Sequence, residues 1–552
     1  MDREWGMIGT SAEELEHVPI EVRVPPGFWR RDDTHMPLPV TPMTDSVFDN
    51  ADMFAAACTD FGLLVEPRIA GIGGWRYIQM APVGAKPGAA TPPGWLLPLL
   101  LRLSPEARTR VRRCRLVART GYVERVVDTW HAEQRDLFER RIAVVRAADS
   151  GSMPDPQLIA HVADALTLAE DGLRTHFRVN VAHWLAMGEL SAVCRDLLGW
   201  GQPEVTSLLA GLSARSSEPA RRLSALAGKS PDSPEFQQYL RVYGCRSLTL
   251  EMADPTVGEL PAVLWAQLRD QVRAGYDPAT DEAALADRRA EAAAQARKAL
   301  KGQKLARFER ALALAVKAYP VREDNVFFTG DAPIALMRYA VLEVGERLQM
   351  RGQLDEGDDV FFLSLAEALD ALGDHEGRQT LVTLRKAEHE WALANPGPPT
   401  YGRDPGPPPS TRWLRSAVRA SVDAMHLVAE QVLAADLSNR TPTAPATTLT
   451  GIAGSPGRYR GPVRVIASER EFDKLHAGDV LVCAATRPSW SVLFPSVGAI
   501  VTDAGGTLSH PAIIAREHRV PAVVATGYAT QILRDGQVVT VDGTRGVVEV
   551  EA

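Results

Sequence analysis

The sequence predicts a multidomain chain with a mixed, irregular N-terminal region, a large and mainly α-helical centre, and a compact C-terminal α/β unit. Three observations predict it. The 552 residues exceed what one hydrophobic core serves, since domains run to roughly 100–200 residues. Apolar residues recur at helical spacing through the middle of the chain. Short β-branched runs, punctuated by Gly, Asp and Pro, then fill residues 451–552.

In order along the chain, residues 1–115 hold Pro- and Gly-rich stretches such as VPPGFWRRDDTHMPLPVTPM (24–43) and APVGAKPGAATPPG (81–94). These predict irregular structure with a strand near 75–80 and a helix near 45–60. Residues 116–437 read as a helical domain. Leu158, Val162, Ala165, Leu166 and Ala169 follow i, i+3, i+4 spacing, with Asp164, Glu170 and Asp171 among the other positions. Residues 281–318 are rich in Ala, Arg and Glu, as suits an exposed helix or helical hairpin. ANPGPPTYGRDPGPPPS (394–410) is a connector that cannot continue a helix, and a last helical stretch follows near 411–435. SNRTPTAPATTLT (438–450) reads as an interdomain linker. The final unit, 451–552, has β runs at 463–466, 480–483, 499–501, 522–524, 538–541 and 547–550, with helices near 471–475 and 511–518.

Composition narrows the function. Forty-five per cent apolar and 24% charged residues are ordinary for a soluble protein. Sixty-one basic against 69 acidic side chains deny the chain a nucleic-acid surface. The most apolar stretch, PGWLLPLLLRL (93–103), is too short for a membrane span and is broken by Pro98 and Arg102. The start, MDREWGMIGTSAEELEH, lacks the layout of a secretory signal. Cys58, Cys114, Cys194, Cys245 and Cys483 are odd in number and never form C-x-x-C, so no zinc or disulfide framework is expected; a cytoplasmic location is. His161, His176 and His183 lack the i, i+4 spacing of a metal pair.

The chemistry concentrates in TDAGGTLSHPAIIAREHRVPAVV (502–524). A strand runs into Gly505 and Gly506, then Thr507, Ser509 and His510, then Pro511 opening an apolar helix. Proline is favoured at the first helical position, so His510 should lie at or beside the N-cap, exposed rather than packed. The free N–H groups of that helix start, its dipole and the hydroxyls of Thr507 and Ser509 suit an anion, and the two glycines leave room for a phosphate. Imidazole titrates near pH ~6.5, so it is nucleophilic at neutral pH and can accept a phosphoryl group. Spacing alone leaves two readings for His510: a residue capping a structural turn, or that nucleophile.

Four consecutive blocks carry a family resemblance: GIAGSPGRYRGPVRVI (451–466), GDVLVCAATRPSW (478–490), GAIVTDAGGTLSHPAIIAREHRVPAVV (498–524) and DGQVVTVDGTRGVVEV (535–550). They resemble the swivelling phosphohistidine domain of phosphoenolpyruvate-utilising enzymes, such as pyruvate phosphate dikinase, phosphoenolpyruvate synthase, rifampicin phosphotransferase and phenylphosphate synthase. The resemblance implies an α/β swivelling domain over 451–552, His510 as phosphoacceptor, and phosphate contacts from Gly505, Gly506, Thr507 and Ser509. For Arg516 it leaves a phosphate contact or a structural ion pair open. More weakly, FQQYLRVYGCRSLTLEMADP (236–255), REDNVFF (322–328), RYAVLEVGERLQMRGQLDEGDDVFFLSLAEAL (338–369) and WRRDDTHMPLPVTP (29–42) resemble the helical substrate domain of the rifampicin phosphotransferase-like branch. Cys245 departs from the Y-G-H-R stretch usual there. His35, Arg246, Glu251, Arg322, Glu323, Arg338 and Asp359 are the polar candidates for an acceptor site, each with a structural alternative as an ion-pair, capping or packing residue.

No P-loop is present, and AGIGGW (70–75) reads as a turn before a strand. The resemblance therefore implies a split arrangement like that of phenylphosphate synthase: a separate ATP-grasp protein, binding ATP and Mg²⁺, phosphorylates His510. The helical domain would then hold a small-molecule hydroxyl or carboxylate, and its activation for dehydration or condensation belongs to the same expectation. The alternative is a non-catalytic phosphocarrier or regulatory protein whose target is another protein.

Overall fold

The computed structural model describes residues 22–432 and 448–551, apart from 34, 37, 49, 87, 90, 213, 275–277, 468, 487–489, 491–492 and 508. Near the N-terminus, β1 (Trp29–Arg31), β2 (Val65–Ile72) and β3 (Trp75–Pro82) join β4 (Thr400–Tyr401) in one sheet, ordered β2-β3-β1-β4. β2 and β3 form a hairpin, and the AGIGGW stretch supplies its turn, with Gly73 and Gly74 at φ 58° and 82°. β4 comes from the proline-rich segment expected to be a plain connector. Proline removes N–H groups but not carbonyls, so extended chain still serves a sheet edge: Arg31 N donates to Pro399 O at 2.9 Å and Tyr77 Oη to Pro398 O at 2.8 Å.

Helices follow: α1 (Pro42–Val47), α2 (Asn50–Phe61), α3 (Arg135–Ala147), α4 (Asp155–Leu198), α5 (Ala214–Ser224), α6 (Pro234–Tyr243), α7 (Gly302–Val326), α8 (Ala332–Met350) and α9 (Ser416–Val432). Helical structure already begins at Leu97–Leu103 and Pro105–Thr120, inside the stretch expected to be irregular. The Ala-rich segment is two helices, Pro278–Ala299 and α7, clipped together by Arg297 Nε to Glu309 at 2.7 Å. The 44-residue α4 is the central post, buried along one side from Leu158 to Cys194 and packed against α2, α7, α8 and α9. It ends at Gly199, whose φ of 68° lets the chain turn.

Two helices widen by one residue per turn. Trp130–Gln134, running into α3, and Phe327–Asp331, between α7 and α8, are π-helical turns. Such turns redirect side chains that an unbroken α-helix would aim elsewhere. The second lies close to α4: a Cβ on Gly172 would stand 2.4 Å from the Thr329 carbonyl oxygen.

The C-terminal sheet has eight strands: β5 (Thr448–Thr450), β6 (Ile452–Ser455), β7 (Arg458–Val465), β8 (Val480–Cys483), β9 (Ala499–Thr502), β10 (Ala522–Val524), β11 (Val538–Asp542) and β12 (Val547–Val550). Their order is β5-β12-β11-β7-β8-β9-β10-β6. β7 to β10 run parallel, and β8, β9 and β10 are buried along their whole length, which explains their unbroken apolar runs. β5 corrects the expected linker, because its three residues pair with β12; a short β-branched segment gains more as an edge strand than as free chain. Residues 438–447 lie outside the described residues. α10 (His510–Glu517) connects β9 to β10. Among the described residues no helix is long and apolar enough to cross a membrane, and all five cysteines are free and buried.

Candidate active site

The loop between β9 and α10 leaves the carboxyl end of a parallel strand, the usual ligand-binding edge of such sheets. Gly505 has φ 118°, and a Cβ there would meet Ser509 Oγ at 2.8 Å, so glycine is required on two counts. Ser509 stands at the N-cap, but its hydroxyl donates to Gly506 O at 2.7 Å and caps no helical N–H. His510 is the first helical residue and Pro511 the second, one position later than the expectation for Pro511.

Arg516 donates to Gly454 O at 2.7 Å and to Thr507 O at 2.6 Å. Its guanidinium therefore braces the loop from behind: its hydrogen bonds go to these backbone carbonyls and to Tyr319, and the neighbouring Glu517 acts on it through charge. Among the described residues Thr507 Oγ1 is buried without a hydrogen-bond partner, a donor left available to an incoming group.

His510 is not exposed. It retains 7% of its accessible surface because α10 packs on the helical region. Glu517 accepts the Gly211 N–H at 3.3 Å, and Arg516 hydrogen-bonds Tyr319 of α7. The ring lies edge-on to Phe494, 6.1 Å between centroids, and its Nδ1 is 3.3 Å from Glu323 Oε2. That carboxylate favours a proton on Nδ1, which leaves the Nε2 lone pair free for nucleophilic attack. Neither ring nitrogen makes a hydrogen bond of regular geometry among the described residues; Nδ1 has the ion-pair contact with Glu323 and Nε2 has none.

The ring borders a cavity of about 110 Å³ whose other walls come from the helices. α3 supplies Glu139 and Arg146, α5 supplies Glu218, α6 supplies Tyr243, and the α7–α8 junction supplies Glu323, Asp324, Phe327, Phe328 and Asp331, with Arg246 nearby in the chain after α6. Trp130 Nε1, from the other π-helical turn, donates to Asp324 Oδ2 at 3.1 Å. The Arg246 guanidinium lies over the Phe327 ring at 5.0 Å and 3.5 Å from Asp331 Oδ2; the Arg135 guanidinium lies over Phe328 at 5.8 Å.

Electrostatics separates the two central acids. Burial pushes the Glu323 carboxyl up, but the His510 ring and the Arg322 and Arg246 guanidiniums outweigh it and hold Glu323 below the usual range. Burial also pushes Asp331 up, to about 7; Arg246 opposes that and Glu323 adds to it. Asp331 Oδ2 makes no hydrogen bond among the described residues. One acid is thus held as a carboxylate against the ring, and the other is poised to exchange a proton near neutrality.

Of the candidates for the acceptor site, the cavity gathers Arg246 and Glu323, with Arg322 behind Glu323 at 3.6 Å. The other four lie elsewhere. Glu251 accepts from Thr41 N and Oγ1, Thr44 Oγ1 and Ala253 N, fastening the start of α1. Arg338 forms a two-pronged pair with Glu259 and donates to Met252 O. Asp359 pairs with Lys386, and the more exposed His35 pairs with Asp32 at 2.8 Å. Glu251, Arg338 and Asp359 tie separate segments together and His35 pairs locally, which is why a polar residue in a matching segment need not touch ligand. His183 and His176 are bonded within the helices, to Ala318 O and Asn180. Among the described residues no group of three or more His, Cys, Asp or Glu could hold a metal. Sequence reasoning missed Asp324, Asp331, Glu218 and Tyr243; Asp324 sits inside REDNVFF, and Asp331 three residues beyond it.

Comparison with known families falls on both sides of this cavity. Residues 475–546 match the mobile domain of PEP-utilising enzymes, and residues 177–323 match the fourth domain of rifampicin phosphotransferase.

Among individual proteins, the chain is 31% identical over 316 residues to an uncharacterized phosphotransferase, YvkC, of Bacillus subtilis (57% of this chain, 36% of that one). It is 29% identical over 398 residues to a rifampicin phosphotransferase of Streptomyces sviceus (71% and 41%). Over 100 residues it is 50% identical to a probable phosphoenolpyruvate synthase of Archaeoglobus fulgidus (18% and 13%). The chain thus spans less than half the length of each of these three relatives.

Proposed function

We propose that this chain is a phosphotransferase that carries a phosphoryl group on His510 Nε2 and passes it to a small hydroxyl or carboxylate compound in the helical-region cavity. A separate ATP-grasp protein, using ATP and Mg²⁺, loads the histidine, and the C-terminal unit swivels between the two sites in a cytoplasmic setting. The single observation carrying the reading is that His510 borders a cavity walled by the segment similar to rifampicin phosphotransferase, with Nδ1 on Glu323 and Nε2 free. At this position the ring faces a cavity of about 110 Å³, which favours a small acceptor over a second protein there.

In the transfer step, the acceptor oxygen bonds to phosphorus as the Nε2–P bond breaks, and that bond's electron pair returns to Nε2. Glu323 holds the Nδ1 proton, so the departing ring is neutral imidazole. Asp331 receives the acceptor's proton where the acceptor is a hydroxyl. Arg246, already fixed over Phe327, faces the equatorial phosphoryl oxygens.

The test supplies the full chain with ATP, Mg²⁺ and a candidate ATP-grasp protein and looks for acid-labile label. Label on the parent and none on His510→Ala supports the assignment; label that persists in His510→Ala overturns it.

A further inference from the structure

We propose that the acceptor is an alcohol carrying a positive charge, an amino alcohol or its alkylated equivalent, and that a carboxylate is excluded. This deepens the proposed function and rests on it.

The argument is a charge inventory around the cavity. Its walls hold five carboxylates, those of Glu139, Glu218, Glu323, Asp324 and Asp331, against two guanidiniums, Arg146 and Arg246. Three further arginines stand behind the acids. Arg322 is 3.6 Å from Glu323, Arg135 is 3.9 Å from Asp324, and Arg222 is 3.6 Å from Glu218. Arg246 is 3.5 Å from Asp331. Arg146 is exposed and donates to Arg241 O at 3.0 Å. Among the described residues five acids therefore face five guanidiniums, and with Asp331 ionised and the histidine unphosphorylated no cation of that set is in surplus.

Phosphorylation disturbs that balance. A phosphoryl group adds nearly two negative charges beside Glu323 and Asp331, where water is scarce and charge is poorly screened. A carboxylate acceptor would add a third negative charge to the same space. An ammonium or quaternary ammonium would offset one, so the loaded histidine and this acceptor favour each other's presence.

The walls suit such a group. Asp331 lines the cavity at 8% exposure, and among the described residues its Oδ2 meets the Arg246 guanidinium at 3.5 Å without a hydrogen bond. Glu139, at the exposed rim, has no ion-pair partner among the described residues. Tyr243 and Phe328 add aromatic rings, which attract organic cations. Size agrees as well: the volume is somewhat below the ~150 Å³ of a cavity that admits benzene, which fits an acceptor of a few heavy atoms.

The experiment loads the full chain chemically with phosphoramidate, which transfers its phosphoryl group to imidazole and releases ammonia, so no partner protein is needed. Phosphate must first be found on the parent and not on His510→Ala; failure there overturns the phosphohistidine reading before any acceptor is added. The loaded chain is then mixed with 2-aminoethanol, choline, ethylene glycol or glycolate, and loss of protein-bound phosphate is timed. We expect the two cationic alcohols to discharge it about tenfold faster than ethylene glycol or more, with glycolate no better than buffer. In Glu139→Gln/Glu218→Gln that advantage should shrink while the ethylene glycol rate changes less. Ethylene glycol or glycolate matching the cationic alcohols would overturn the proposal. So would the absence of discharge by all four, or a double variant that retains the full preference.

Discussion

Replacing Glu517 by Gln tests the contact that encloses His510. The carboxyl lies buried on α10 and accepts the Gly211 N–H at 3.3 Å. Burial pushes it from 4.5 up to about 7, an effect that the Gly211 hydrogen bond, Arg516 and Arg289 reduce and Glu323 augments. The sign follows from proton linkage. A carboxyl that binds its proton more tightly when buried opposes the packed arrangement only once it must ionise. The penalty is absent below pH 4.5, builds as pH rises from there to about 7, and is complete above. At about 1.4 kcal/mol per pH unit it amounts to ~3 kcal/mol. Gln keeps the accepting oxygen and never ionises.

The variant should therefore match the parent at acid pH and pack more tightly by ~1–3 kcal/mol at pH ~8. Amide hydrogen exchange over residues 205–212 and 510–517, corrected for intrinsic rates, reads this directly. Protection should rise about 5- to 100-fold at the higher pH and scarcely change near pH ~5. Weaker protection at alkaline pH, or the same gain at both values, would refute the buried-carboxyl reasoning.

Asp331→Asn should slow discharge of phospho-His510 to a hydroxyl acceptor by about 10²- to 10⁴-fold. It should also flatten the pH profile: a carboxyl raised to about 7 serves as base only when ionised, so the parent rate climbs through that region. Rapid-quench single turnovers would measure both, and a variant that keeps the climb removes Asp331 from this role. Arg516→Lys should cost about 1–3 kcal/mol in denaturant titrations, because one ammonium cannot reproduce a planar fork on the Gly454 and Thr507 carbonyls; unchanged stability with unchanged exchange over 505–509 would deny it the bracing role. Gly172→Ala should lower stability by about 1–3 kcal/mol, since the added methyl would meet the Thr329 carbonyl at 2.4 Å, and a thermal midpoint equal to the parent's would show that α4 and the π-helical turn separate freely.

The loop around His510 was legible because its information is local. A strand, two glycines, two hydroxyl residues and a proline lie within a dozen positions, and each constrains the backbone of its neighbours. The walls of the cavity were not. Glu139, Glu218, Tyr243 and Asp331 come from separate helices, and no periodicity says which helical faces converge. The π-helical turn hid Asp331 in particular, since one added residue shifts every later side chain about 100° from where regular helical spacing puts it. Glu251, Arg338 and Asp359 failed in the opposite way: they sit in segments that resemble a substrate domain, yet their partners are Thr41, Glu259 and Lys386. Exposure was misjudged for His510 because a helix start is open only until another part of the chain covers it.

That cover has a consequence for the proposed transfer. With the ring 7% exposed beneath the helical region, a nucleotide-bearing protein cannot reach Nε2, so loading requires α10 to leave. Two polar groups there lower the cost of departure. Glu517 is buried at a penalty at neutral pH, and Arg516, also buried, is held below its ordinary range by desolvation despite Tyr319 and Glu517. These two groups work against the apolar packing of Ile513 and Ile514 on the helical region, so a change of charge at the contact shifts its equilibrium. Adding a phosphoryl dianion next to Glu323 pushes toward opening, and a cationic acceptor in the cavity pushes back. The same acids that select the acceptor would thereby keep the loaded histidine away from an empty cavity, where only water could take the phosphate.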